Sequence, residues 1–446
     1  MEQGKSKPPL LRRFAANTGW LVAQNVFQYM LSAVVGILAA RYLGPENYGV
    51  LGYGVSLMAL FTPLCTLGID SIQIPAMIES PEKTGEIIGT ATALRGASSV
   101  LSILGITAIA TLTKPGDTVL IVVTALQSLQ LLFQMFDSFR LWFQKELMSK
   151  YTAIGSVVGN IACSVWRIAL LARGASVEWF ALTSVVQMMT NYLVVLPLFA
   201  RKARLRLSFS WQTGKRLLGS GYHFILSGLT VAVSNYSGRL LLSYLLGETM
   251  LGYYNAATTV AMMWIFVPQA VVDSATPVLL EIKRGDPDAF LPRFQAVHLL
   301  LFLVGTAAGL GLTVLAPWII DFLYGVKYAP AAGVLRIVAW IGLLSSIGIA
   351  RGIWVLAEHK EKYVKYYCLI AAVTSIVANY AGIRLWGLAG AAVACVLTGL
   401  VQALIAPCLF RGSRQFTLDY FGSFGRIGVL TDLLKDWAKR GKGNDG

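Results

Sequence analysis

LGPENYGVLGYGVSLMALFTPLCTLGIDS, residues 43–71, and LGETMLGYYNAATTVAMMWIFVPQAVVDS, residues 246–274, are versions of one another, 203 residues apart. Five positions are identical without a gap, and beyond the window Arg95 falls opposite His298. The identities are turn glycines and an acid within apolar sequence: Leu43, Gly44, Gly49, Asp70 and Ser71, matching Leu246, Gly247, Gly252, Asp273 and Ser274. Duplicated halves of this kind are typical of membrane transporters with a central site.

The composition indicates an integral membrane protein. Hydrophobic residues make up 56% of the 446 residues and charged residues 13%, with a mean hydropathy of +0.64. Soluble domains usually contain about 45 to 50% apolar residues. Apolar runs long enough to cross a ~30 Å hydrocarbon core as helices lie near 15–40, 49–78, 87–112, 117–138, 151–172, 178–200, 220–246, 251–280, 291–320, 330–357, 363–385 and 387–410.

Six helices in each half return the chain to its starting side, so both halves enter the membrane in the same direction. The sequence therefore predicts an all-α polytopic fold of twelve helices, in two six-helix lobes related as parallel repeats around a central cavity. The predicted organisation is a cytoplasmic segment 1–14, an N-lobe 15–200, a basic cytoplasmic linker 201–219, a C-lobe 220–410 and a cytoplasmic tail 411–446. The linker is open to a simpler interpretation as a topogenic loop.

The basic residues predict that both termini are cytoplasmic, because Lys and Arg in short loops are retained on that side. The outer loops would then hold only Arg41, Lys114, Arg173, Lys327 and Arg384 of the 37 lysines and arginines. The net charge of +15 is explained by this bias and by attraction to anionic lipids, so it gives no reason to propose a nucleic-acid partner.

In the tail, one helical face carries Val429, Leu430, Leu433, Leu434 and Trp437. This pattern predicts an amphipathic helix lying on the membrane surface, with docking to a partner protein as the alternative.

Four further stretches resemble a known family. They are ARYLGPENYG (40–49), DSFRLWFQKELMSKYTAIG (137–155), LYGVKYAPAAGVLRI (323–337) and WGLAGAAVA (386–394), and the resemblance spans the chain to about Arg411. They are similar to Wzx-type polysaccharide flippases of the multidrug/oligosaccharidyl-lipid/polysaccharide exporter superfamily. The resemblance implies a MATE-like fold in the bacterial inner membrane. It also implies translocation of an undecaprenyl-pyrophosphate-linked glycan, such as an O-antigen unit, to the periplasmic leaflet, together with polymerase and assembly proteins as partners.

A pyrophosphate head group requires cations within the bilayer, where each one is costly unless it faces a cavity or a partner. Arginine suits phosphate through its fork of donors. The candidate pyrophosphate ligands are Arg95, Arg167, Arg239, His298 and Arg351. The alternative is snorkelling or internal ion pairing, which would explain Arg336 and Arg351 equally well.

Polar side chains also recur along the first and seventh predicted helices at helical spacing. The candidate glycan-binding or cavity-lining residues are Asn25, Gln28 and Ser32, preceded by Thr18, and Asn235 and Ser243 beside Arg239. Hydrogen bonding between helices is the alternative.

Asp70 and Asp273 are candidates for a gate or for ion pairs. Each lies ~31 Å along its helix from the outer turn, close to the cytoplasmic face. A structural pairing of Asp70 with Arg95, and of Asp273 with His298, is therefore preferred to a role in coupling.

The sequence predicts no enzyme, metal site or cofactor. It contains three histidines and no phosphate-binding GxxxxGK[ST] motif, and the five cysteines lie in apolar runs without metal-ligand spacing. The driving force is left open between an ion gradient, of H⁺ or Na⁺, and the substrate gradient, and rocking lobes suit a monomer. The alternatives are a MATE-type cation-coupled multidrug exporter and a non-transporting membrane scaffold in polysaccharide assembly.

Overall fold

The computed structural model describes the backbone of residues 10–423 and the side chains of residues 34–423. This part of the chain is helical throughout, with short connections and without a β-strand. It divides into two compact units. The first contains residues up to Leu43 and Tyr53–Leu229, and the second contains Gly44–Gly52 and the residues from Thr230 on. The predicted lobe limits stay a prediction.

Helix α1 (Leu10–Thr66) begins in the first unit and contributes its segment Gly44–Gly52 to the second. The remaining helices of the first unit are α2 (Asp70–Glu79), α3 (Thr84–Thr113), α4 (Thr118–Ser128), α5 (Asp137–Lys145), α6 (Ser149–Arg173), α7 (Val177–Ala181) and α8 (Thr183–Ala203). Helix α9 (Trp211–Leu246) crosses the limit between the units. Residues 204–210 of the predicted linker are non-helical, whereas residues 211–219 already belong to α9.

The second unit continues with α10 (Glu248–Met262), α11 (Phe266–Gly285), α12 (Pro287–Tyr324), α13 (Pro330–Val338), α14 (Ile341–Ala357) and α15 (Val364–Leu400). A π-helical turn, Val401–Ile405, joins α15 to α16 (Ala406–Cys408), and α17 (Arg414–Gly422) follows. The predicted amphipathic helix of the tail lies outside the described residues.

Ten segments of the described chain are long and apolar enough to cross a membrane. Two of them are interrupted by a glycine with non-helical dihedral angles, Gly44 within α1 and Gly387 within α15. Because α1 begins at Leu10, these two breaks make the described segments consistent with the twelve helices that the sequence predicts. The all-α polytopic fold is confirmed.

The two copies of the repeat share an uncommon backbone geometry. Gly44 has φ 76° and ψ 171°, and Gly247 has φ 88° and ψ 176°. Only glycine adopts this region readily, because a Cβ atom would clash with the backbone. Each glycine therefore ends one helix and redirects the chain into the next at the same position of its repeat.

Five residues beyond these breaks, a second pair of glycines brings the repeats into contact. A Cβ atom on Gly49 would overlap the carbonyl oxygen of Glu248, and one on Gly252 would overlap that of Pro45. Pro45 and Glu248 are themselves equivalent in the repeat. The two contacts are therefore reciprocal, as in a local two-fold relationship between segment 44–52 and α10.

Candidate functional site

The second unit contains a cavity of about 510 Å³. Its walls come from α9, α10, α14, α15 and the π-helical turn. Three of the predicted site residues, Asn235, Arg239 and Arg351, line this cavity together. Its lining residues include two arginines but no aspartate or glutamate. The cavity therefore combines two fixed positive charges with no carboxylate to offset them.

Arg239 is the half-buried cation of the cavity. Its Cζ atom lies 5.4 Å from the centre of the Tyr236 ring, a cation–π contact made by residues of the same helix. Among the described side chains no ion pair involves Arg239. A guanidinium within a membrane-spanning helix normally faces a partner or a watery cavity. Arg239 therefore presents a positive charge to the cavity without an ion-pair partner among the described side chains.

Arg351 is 8% exposed and is held more tightly. Its Nη1 atom donates to the carbonyl oxygens of Gln402 and Ala403, the latter at 3.4 Å, and its Cζ atom lies 4.9 Å from the ring centre of Tyr367. A π-helical turn changes the regular backbone pairing and is often found at functional sites. Arg351 thus places positive charge in the cavity wall and also stabilises the turn.

Helix α17 fixes the same part of α14 from outside the cavity. Trp354, one turn beyond Arg351, donates from Nε1 to Oδ2 of Asp419 at 3.2 Å. Gln415 donates to the other oxygen of Asp419 at 2.8 Å, and Gln295 donates to its backbone carbonyl at 2.9 Å. Asp419 is 8% exposed, so these bonds satisfy a buried acid. The last described helix is therefore part of the second unit's core.

A polar wall made by α9 and α15 lines the same cavity as Arg239. Ser375 donates to the carbonyl of Ser234 at 2.9 Å and contacts the hydroxyl of Ser237 at 3.1 Å, and Asn379 donates to the carbonyl of Ser375 at 2.8 Å. Oδ1 of Asn379 and Oγ of Ser234 are buried and have no hydrogen-bond partner among the described residues. Two polar atoms in this wall are thus able to bind a ligand or water. Sequence reasoning missed Ser375 and Asn379, although their four-residue spacing in an apolar helix is a readable signal.

Arg95 and Asp70 lie in the first unit, away from this cavity's lining. Nη2 of Arg95 donates to Oδ1 of Asp70 at 2.8 Å, which is the pairing that the sequence predicts. A second acid, Asp137, accepts from Nε of Arg140 at 3.1 Å and from the Tyr192 hydroxyl at 2.6 Å. Sequence reasoning missed Asp137 and its partners. Arg140 lies three residues away on α5, which is a readable signal, whereas the contact with Tyr192 joins α5 to α8 across 55 positions.

The predicted pair of Asp273 with His298 is wrong. The carboxylate of Asp273 accepts instead from Gln269, one turn earlier in α11, at 2.7 Å. His298 is 1% exposed, and neither ring nitrogen has a hydrogen-bond partner among the described residues. Its ring packs against Phe294, and against Phe416 and Tyr420 of α17. This apolar site suits a neutral ring, so His298 is not placed to bind pyrophosphate.

Two further predicted site residues that the structure describes, Arg167 and Ser243, do not line the cavity. Arg167 is half-buried on α6, in the first unit, with Nη1 about 4.0 Å from the site of a Cβ atom on Gly36. Ser243 is buried, and its hydroxyl donates to Glu248 at 3.0 Å. The side chains of Asn25, Gln28 and Ser32 lie outside the described residues, so their predicted role stays a prediction.

Comparison with known proteins places this chain in a family. The sequence pattern of the family described as "Polysaccharide biosynthesis protein" matches residues 14–283, more than half of the chain. The chain belongs to this family. It is also similar to the putative O-antigen transporter of Escherichia coli (strain K12), with 23% identity over 394 residues, covering 80% of this chain and 86% of that protein.

Solved structures agree with this family membership at the level of the fold. An inward-facing multidrug resistance MATE transporter of the MOP superfamily aligns with a TM-score of 0.69 and 16% identity, covering 91% of this chain and 96% of that one. The lipid II flippase MurJ, in an inward closed conformation, aligns with a TM-score of 0.63 and 14% identity, covering 95% and 92%. This member of the polysaccharide biosynthesis family is thus a multi-pass membrane protein with the MOP fold.

Proposed function

We propose that the protein is a flippase for undecaprenyl-pyrophosphate-linked oligosaccharide, a repeat unit of O-antigen or of another polysaccharide. It would move this substrate from the cytoplasmic to the periplasmic leaflet by alternating access. The observation that carries the proposal is the pair Arg239 and Arg351 in a membrane-embedded cavity whose lining has no carboxylate. Such a cavity is costly unless an anion occupies it.

The two ends of the substrate match different parts of the cavity. Arg239 offers a planar fork of donors for the pyrophosphate. Arg351 adds positive charge, but its Nη1 atom already donates to backbone carbonyls. The amides of Asn235 and Asn379 and the hydroxyl of Ser234 suit sugar hydroxyl groups, which both donate and accept. A cavity of about 510 Å³ has room for more than a diphosphate.

The proposal includes a location in the bacterial inner membrane with both termini cytoplasmic, as the basic loops predict. It also includes the lipid-linked glycan and anionic lipids as partners, action as a monomer, and contact with polymerase and assembly proteins. Coupling to an H⁺ or Na⁺ gradient is proposed as the driving force. The family membership and the similarity to a putative O-antigen transporter support the transport of a polysaccharide precursor.

A MATE-type multidrug exporter is the main competing function, because a MATE transporter has the same fold. The cavity disfavours this function. An organic cation placed beside Arg239 and Arg351 would meet like charge, with no carboxylate in the lining to offset it.

The test is reconstitution of the protein in vesicles that contain a fluorescent undecaprenyl-pyrophosphate-linked oligosaccharide in one leaflet. We expect protein-dependent transfer to the other leaflet, and a loss of at least about tenfold in rate for Arg239→Gln, equivalent to one charge-assisted hydrogen bond. Arg336→Gln is the matched control, because Arg336 is exposed on α13 and does not line the cavity. Export of organic cations without lipid transfer would show that the protein is a multidrug exporter. If the protein has neither activity, the non-transporting scaffold becomes the favoured function.

A further inference from the structure

Residues 204–210 connect α8 to α9 as a non-helical segment that lies along the start of α3. Cβ atoms on Gly85 and Gly89 would overlap the carbonyl oxygens of Arg206 and Ser208. The amide of Ser210 donates to Oγ1 of Thr90 at 3.0 Å. Because Gly85 and Gly89 lie one helical turn apart and have no side chains, the backbone of residues 204–210 packs closely against this face of α3.

The end of the segment is fixed as firmly. The hydroxyl of Thr213 donates to the carboxylate of Glu86, and its amide donates to the hydroxyl of Ser210 at 3.4 Å. These bonds use side chains of α3 to hold the first turn of α9. We call residues 204–211 the linker clip. Since its backbone is held against α3, its side chains are displayed in a defined arrangement.

Three apolar side chains of the clip are exposed. Leu207, Phe209 and Trp211 are 47%, 57% and 56% exposed. Arg204 and Arg206 precede them along the chain and are exposed too. Four further exposed basic residues flank the clip, and residues 201–216 contain no acid; these residues are Arg201, Lys202, Lys215 and Arg216.

The clip lies at a membrane surface, because it joins two membrane-spanning helices and runs beside residues 85–90, near the start of a third span. Exposed aromatic and aliphatic side chains beside arginines are the combination that partitions into the head-group region of a charged bilayer. We propose that the linker clip is a binding site for anionic phospholipid. Phosphate groups would contact the arginines, while Phe209 and Trp211 enter the boundary between head groups and acyl chains.

The predicted linker is therefore more than a loop that sets topology. A topogenic loop needs only its charges, whereas this segment has a fixed backbone and exposed apolar side chains. A protein partner would also fit an exposed apolar segment, but residues 201–216 carry six exposed basic residues and no acid. The neighbouring carboxylate of Glu86 is bound by Thr213, so the excess of positive charge is complementary to a phospholipid surface.

Native mass spectrometry of the full chain in detergent, titrated with phosphatidylglycerol or phosphatidylcholine, tests the proposal. We expect the intact protein to prefer phosphatidylglycerol, and the preference to weaken as salt is raised. Each arginine near a charged membrane surface contributes about fivefold in affinity, so Arg204→Gln with Arg206→Gln should weaken binding about twenty-fivefold. Phe209→Ser should weaken binding of both lipids.

The matched control is Lys360→Gln with Lys362→Gln, which removes the same charge from the connection between α14 and α15 in the second unit. An equal loss in this control would overturn the proposal, since net charge alone would then explain binding. Equal binding of the two lipids by the unaltered protein would overturn it without any variant. Undecaprenyl pyrophosphate displacing phosphatidylglycerol at equal concentration would also overturn it, by making the clip a substrate site.

Discussion

Oδ1 of Asp70 accepts a hydrogen bond from Nη2 of Arg95 at 2.8 Å, and this contact joins a partly exposed acid to a fully buried cation. The Arg95 side chain is 0% exposed, whereas that of Asp70 is 40% exposed. Nε and Nη1 of Arg95 have no hydrogen-bond partner among the described residues. One carboxylate therefore compensates the buried charge of Arg95, whereas water also solvates the charge of Asp70.

This asymmetry predicts unequal effects of substitution. Asp70→Asn leaves a buried guanidinium without its counter-charge and should lower the free energy of unfolding by about 2 kcal/mol, below the range for fully buried pairs because the acid is partly solvated. Arg95→Met removes the buried charge together with its desolvation cost and should be better tolerated. Thermal unfolding in detergent measures both. If Asp70→Asn has no effect, the pair does not stabilise the first unit.

A charge exchange separates pairing from function. The double variant Asp70→Arg with Arg95→Asp should regain part of the stability that each single exchange loses, because opposite charges again face each other. Transport in the exchanged protein reports whether the polarity of the pair matters. Loss of transport in both single variants without any rescue in the double variant would contradict a role for pairing.

Docking of α17 leads to a second prediction. Asp419→Ala leaves the indole NH of Trp354 and the amide of Gln415 without their acceptor, and the former is buried. We expect the free energy of unfolding to fall by about 1–3 kcal/mol. In the vesicle assay we expect slower lipid transfer, because Arg351 lies one turn from Trp354. Leu418→Ala is the control, since Leu418 is 54% exposed on the same helix. Equal stability of the two variants would contradict docking through Asp419.

The polar wall of the cavity gives a third prediction. A Cβ atom on Gly238 would lie 2.5 Å from Oδ1 of Asn379, whose amide is held by Ser375. Gly238→Ala should therefore destabilise the protein by about 2 kcal/mol, although alanine alone favours a helix. Adding Asn379→Ala should restore most of this loss by removing the atoms that clash. If the Gly238→Ala protein is as stable as the wild type, the prediction is wrong, because the polar wall then moves to accommodate the Cβ atom.

The cavity was predictable in part because α9 carries its polar residues at helical spacing. Asn235 and Arg239 are four residues apart in an apolar helix, and both line the cavity. Asn379 has the same signal with Ser375 but lies in a helix that sequence reasoning treated as apolar throughout. Local periodicity therefore contains this information, whereas the contact of Asn379 with Gly238 depends on packing between helices 141 positions apart.

His298 illustrates what the repeat could not predict. Its alignment with Arg95 suggested a cation paired with Asp273, but Phe416 and Tyr420 of α17 pack on the ring. Helix α17 lies beyond the predicted C-lobe, so the repeat gave no indication that it packs on this ring. The two halves share an acid at Asp70 and Asp273, but Arg95 and His298, which also correspond, lie in different surroundings.

The glycines of the repeat give the last prediction. Because Cβ atoms on Gly49 and Gly252 would overlap the carbonyl oxygens of Glu248 and Pro45, alanine at either position must move backbone atoms. Each single substitution should lower the unfolding temperature, with a cost of about 2 kcal/mol or more from overpacking. The reciprocal geometry predicts similar costs at the two sites. Gly333→Ala is the control, since nothing lies within 4 Å of its Cβ position, and it should leave stability unchanged or raise it. A large loss at only one of the two sites would refute the two-fold relationship between the repeats.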